Sequence, residues 1–123
     1  MTGNERAPGI GTFIASVNNA PFLVSKAVYF YTSNQDALVE GYDESDNQAM
    51  FSIPPFLHGD GPHTVKHYPS LFPWGVYIKG DEYKVKSGDF TFSYFDNRNG
   101  VEGEINFDLV DGRKVTGVFK IRR

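Results

Sequence analysis

Between Val101 and Val110 the chain alternates. Val101, Gly103, Ile105, Phe107 and Leu109 fall on one face, and Glu102, Glu104, Asn106 and Asp108 on the other. Successive side chains leave a strand on opposite sides, so a period of two marks a strand with one buried and one wet face. The period recurs in Phe13, Ala15 and Val17, in Phe90, Phe92 and Tyr94, and in Val115, Gly117, Phe119 and Ile121. No stretch of useful length carries a helical period. The pattern predicts an all-β fold: a single antiparallel β-sandwich or flattened barrel of about nine or ten short strands. Residues 1–10, rich in Gly, Pro and polar side chains, read as a flexible leader, and 11–123 as one β domain.

Composition excludes several classes. Eleven Phe, seven Tyr and one Trp in 123 residues are too many for a disordered chain. A formal charge of −3 offers no basic field for nucleic acid. The absence of cysteine removes disulfides, thiolate zinc sites, iron–sulfur clusters and cysteine nucleophiles. No apolar run approaches the roughly 18 residues that a transmembrane helix needs. The segment Met1–Gly9 has no hydrophobic stretch and does not read as a signal peptide. A complete chain of this kind is expected in the cytoplasm, whereas an exported one would have lost its signal.

Turn residues set the expected hairpins. Asn18-Asn19 suits a tight turn, because Asn accepts positive φ. Gly80-Asp81 as a two-residue turn would pair Ile78 with Tyr83 and Val76 with Val85. A loop of Asn97-Arg98-Asn99-Gly100 would pair Tyr94 with Gly103, Phe92 with Ile105 and Phe90 with Phe107. At the last hairpin a plain Asp111-Gly112 turn sets Leu109 beside Lys114, core against surface. A bulged or three-residue turn at Asp111–Arg113 instead pairs Leu109 with Val115 and Ile105 with Phe119. It also brings Glu104 opposite Lys120 and Glu102 opposite Arg122, and opposed charges favour a register.

The opening Phe13-Ile14-Ala15-Ser16-Val17-Asn18-Asn19-Ala20-Pro21-Phe22 resembles the F-x-A-x-V-N-G-x-x-F hairpin of a bacterial family of small all-β domains of unknown function, often lipoproteins. The closing strands of that family, G-x-F-x-F and G-x-F-x-V in type, resemble Val101–Phe107 and Val115–Ile121. Asn19 stands where the family has Gly, and the lipidated cysteine expected upstream is absent. The resemblance covers the two ends of the chain. It implies the β fold and brings no catalytic residues.

Residues 54–73 break the alternation. Pro54, Pro55, Pro62, Pro69 and Pro73 fall there with Gly59 and Gly61, a density that no central strand carries. At most His63 to Tyr68 forms a short edge strand. All three histidines, His58, His63 and His67, lie in this stretch with Asp60. A zinc site would need three or four such groups within about 2.0–2.2 Å of one ion. Extended backbone holds His63 and His67 about 13 Å apart, so the expectation is loop histidines and no metal. Glu102 and Glu104 have a spacing near that of paired catalytic carboxylates, but they belong to a regular charged face. Asp43–Asn47 and Asp96–Gly100 lack the spacing of a calcium loop and read as turns.

The remaining candidate is a binding surface on the Pro/aromatic loop 54–77. Phe56, His58, His63, His67, Tyr68, Phe72 and Trp74 are its expected residues, since loops on rigid β scaffolds carry recognition. Phe72 and Trp74 could equally close one end of the core. The expected function is a non-enzymatic module for a protein or carbohydrate partner, without a cofactor. A small β-barrel carrier of an apolar ligand is the alternative, with a metal-dependent hydrolase built on the histidines behind it.

Overall fold

A computed structural model describes residues 7–33, 35–68, 72 and 74–123. Among the described residues ten strands form: β1 (Ile10–Val17), β2 (Ala20–Val24), β3 (Ala27–Ser33), β4 (Asp36–Tyr42), β5 (Gln48–Ile53), β6 (His63–Lys66), β7 (Gly75–Ile78), β8 (Asp81–Phe95), β9 (Gly100–Leu109) and β10 (Lys114–Arg122). The described residues contain no helix. Every strand pairing is antiparallel, in the order β2-β1-β10-β9-β8-β7-β5-β4-β3, with β6 paired to β8 beside this path. The leader expected over 1–10 falls mostly on residues outside those described. Ile10 already belongs to β1, and the Gly9 amide donates to the Val28 carbonyl at 2.7 Å.

The sheet curls into a half-barrel, and β8 makes the corner. Its first residues, Asp81–Lys84, pair with β7, while Val85–Phe95 pair with β9. A bulge between Val85 and Ser87 sits at the change of partner, where such an insertion bends a strand and increases its twist. The two halves then face each other across one core. Phe51 of β5 lies 4.4 Å from the Phe90 ring of β8 and 5.2 Å from Phe119 of β10. It also meets Phe13, Trp74 and Phe107 at 6.1–6.2 Å. Removing a ring of this kind costs about 3–5 kcal/mol, because the cavity adds to the lost transfer energy.

Three hairpin registers differ from those the sequence predicts, all in the same way: each turn begins one residue earlier. The β7–β8 turn is Lys79-Gly80, with φ of 53° and 88°, so Val76 pairs with Tyr83 and Ile78 with Asp81. The neighbouring loop fixes it, since Asn47 Oδ1 accepts the Lys79 amide at 2.9 Å and the Asp46 carbonyl accepts the Gly80 amide at 3.0 Å. The β8–β9 loop is 96–99, and Phe90 pairs with Ile105, Phe92 with Gly103 and Tyr94 with Val101. Phe95 lies over its partner Gly100, where any Cβ would come within 2.3 Å of the ring. The β9–β10 hairpin does have the three-residue loop, but at Val110–Gly112, closed by the Leu109 amide on the Arg113 carbonyl at 2.9 Å. Glycine at 112, with φ of 94°, takes the left-handed position such loops need.

The charge pairs follow the observed register. Lys120 faces Glu102, with Nζ 3.5 Å from Oε2, and Lys114 faces Asp108 at 3.1 Å. Arg122 lies opposite Gly100 and pairs with Asp96. The predicted pairs Glu104–Lys120 and Glu102–Arg122 do not form. The Asn18-Asn19 turn is as predicted, with φ of 47° and 67° and Val17 opposite Ala20.

Candidate functional site

The Pro-rich stretch leaves the sheet after Ile53 and returns as β6 and β7, and its candidate residues separate by burial. Trp74 is 2% exposed. It enters the core where β5 and β7 part beyond the pair Met50 and Gly75, and meets Phe90 and Phe107 at 5.2 and 5.3 Å. Its indole N–H donates to Ser52 Oγ at 3.0 Å, which satisfies the one polar atom that burial would otherwise strand. Half-buried Tyr68 lies edge-on to Trp74 at 5.7 Å. The Tyr68 hydroxyl shares a hydrogen bond with Ser52 at 3.0 Å and donates to Asp36 at 3.1 Å. His67 stands edge-on to the indole at 5.0 Å. Phe72 is half-buried. Trp74, Tyr68 and His67 thus form one group at the end of the core. Pro69 and Pro73 lie outside the described residues.

Phe56 differs from all of these: it is 79% exposed. Its neighbour Leu57 packs against the core, and His58 is exposed. The chain then turns through Gly59, Asp60 and Gly61 toward β6. His63 lies over Phe92 with centroids 5.4 Å apart, and its Nε2–H donates to the Gly59 carbonyl at 2.9 Å. Arg98, on the β8–β9 loop, donates to the same carbonyl at 2.9 Å, and its Nε is 3.5 Å from the Asp60 carboxylate. The Tyr94 amide donates to the Asp60 carbonyl at 2.8 Å. The Arg98 guanidinium also stacks on the Tyr94 ring at 4.6 Å. Burial pushes the Tyr94 phenol above its ordinary value, against the pull of Arg98 and Arg123. Beside this fastening, Pro62, Phe92, Gly103 and the Thr91, Ser93, Glu102 and Glu104 side chains line a surface depression of about 400 Å³.

The histidines take separate environments: His58 in water, His63 on Phe92, His67 on Trp74. Among the described residues no three of His, Asp and Glu come together as a metal-ligand set. Glu102 is occupied by Lys120, and Glu104 lies between Val118 and Thr91 across the strands. Asp43 builds its own turn: Oδ1 accepts the Ser45 and Asn47 amides at 2.7 and 3.0 Å, and Oδ2 accepts Asn47 Nδ2 at 2.8 Å.

One buried acid escapes a reading by pattern. Glu40 of β4 is 5% exposed. Its two carboxylate oxygens accept the Tyr31 and Tyr42 hydroxyls, each at 2.5 Å, and Gln48 Nε2 donates to the Tyr42 oxygen at 3.1 Å. Tyr29, opposite Glu40 on β3, meets Tyr42 edge-on at 5.5 Å. A charged residue in the apolar–polar alternation of β4 looks solvent-facing. The available signal is the three tyrosines that share its face at spacings of two. Comparison with protein families, with curated proteins and with solved structures finds no match to this chain.

Proposed function

We propose that this chain is a non-enzymatic interaction module whose segment 54–62 engages a protein partner, with Phe56 as the anchor. The observation that carries this reading is the exposure of Phe56 on a segment fastened on both sides of it, by Ile53 of β5 in the core before it, and after it by Leu57 against the core and the hydrogen bonds at Gly59 and Asp60. A large aromatic held in water on a restrained segment contributes binding energy without a large ordering cost. A protein partner is favoured over a carbohydrate, because sugar recognition wants a flat aromatic platform and the one indole lies in the core. The ring contacts around Phe51 favour a filled interior over a ligand carrier. We read the curled sheet as a flattened barrel, since β8 runs unbroken from one half to the other.

The test is selection of binding peptides from a displayed library against the wild-type chain and against Phe56→Ser, alongside a glycan array. Peptides that lose about 100-fold in affinity for Phe56→Ser, at unchanged Tm, are the expected result. Equal binding by the two chains, or glycan binding that Phe56→Ser retains, would overturn the reading.

A further inference from the structure

The nine residues between Ile53 and His63 carry no strand; Leu57 packs against the core, and their polar ties gather at one place. The described hydrogen bonds and ion pair that reach them from elsewhere converge on Gly59 and Asp60. Three of the ties come from the β8–β9 hairpin, and two of those three come from a single side chain. Arg98 Nη2 holds the Gly59 carbonyl, its Nε faces the Asp60 carboxylate, and its plane rests on Tyr94. A guanidinium suits this task because its rigid fork serves two acceptors while its face stacks. Arg98 adopts a left-handed backbone, with φ of 65°, in a loop where Asp96 and Asn97 do the same. The side chain therefore leaves a tightly specified turn rather than a pliable one.

We infer that Arg98 is a latch: it holds segment 54–62 against the β8–β9 hairpin, and without it the segment opens locally while the sheet stays folded. The latch acts through Gly59 and Asp60, so Arg98 is a positioning residue for Phe56. Both partners of the Arg98–Asp60 pair are substantially exposed, at 47% and 69%, so salt weakens that grip and leaves the Gly59 contact. The inference adds to the reading of Phe56 as an anchor, but its test needs no partner, so the two fail separately.

The test is cleavage of the free chain by chymotrypsin at the Phe56–Leu57 bond, with exchange of the Tyr94 amide hydrogen as a second measurement. In Arg98→Ala both rates are expected to rise about tenfold or more, because cleavage and exchange follow local opening. Amides of β9 and β10 facing each other are expected to keep their protection. Asn18→Ala is the control, since Asn18 Oδ1 accepts the Lys114 amide in a distant hairpin; it is expected to lower Tm and leave cleavage at Phe56–Leu57 unchanged. Unchanged rates in Arg98→Ala, or a rise spread evenly over all strands, would overturn the latch.

Discussion

Asp43 shows how one side chain can define a loop. It accepts three hydrogen bonds from Ser45 and Asn47, and Asn47 in turn fixes the Lys79 amide. Partial burial works to raise its pKa, but the bonds from Asn47 and Ser45 outweigh that, and the carboxyl sits below the ordinary aspartate value. A depressed folded value means that the unfolded chain binds the proton first. The stability it contributes is therefore complete above about pH 4 and is lost as pH falls through the lower folded value. The Tm of the wild type is expected to drop more steeply than that of Asp43→Asn between about pH 4 and pH 2, as scanning calorimetry would show. Equal slopes would mean that the loop's acid response comes from elsewhere. Residue identity also explains what could not be read at this scale. Trp74 and Phe56 are both aromatics among prolines, and only the placement of the chain distinguishes core from surface. Glu40 reads as solvent-facing until its three tyrosine neighbours are seen on the same side.

At the scale of elements the strands were legible, but the registers of three hairpins were not. Alternation located the terminal strands and the face of each, because burial of one face enforces a period of two. It could not choose between registers two residues apart, since a shift of two returns every side chain to the same face. Moving a turn by one residue makes that shift, and three hairpins show it. The deciding contacts are local and specific: Phe95 over Gly100, Asn47 on Lys79, Gly112 in a left-handed position. Lys79 takes positive φ at the first position of a tight turn, a conformation Asn tolerates better than Lys. Lys79→Asn is expected to stabilise the chain by about 0.5–1 kcal/mol in urea unfolding, because only its backbone amide is used in the turn. A loss of stability would show that the Lys79 side chain holds a role beyond the turn.

For the whole molecule the governing property is curl. Gly103 lies where β9 crosses beside β8, and a Cβ there would stand 2.0 Å from the Thr91 carbonyl oxygen. The strands approach so closely that only hydrogen fits, and this lets the sheet bend back on itself. Gly103→Ala is expected to cost about 3 kcal/mol or more, measured as a fall in urea midpoint, because the obstacle is backbone and cannot rotate away. A cost near that of an ordinary exposed substitution would mean that the curvature has slack. The sequence marks this position only as a glycine among core residues, without saying which neighbouring backbone it must admit.

The passage of β8 from one half of the sheet to the other has a consequence for divisibility. Phe51 and its partners span both halves, so neither half holds an apolar interior of its own. A chain severed at the bulge between Val85 and Ser87 would yield two pieces that are each unstructured alone and regain the fold only on being mixed.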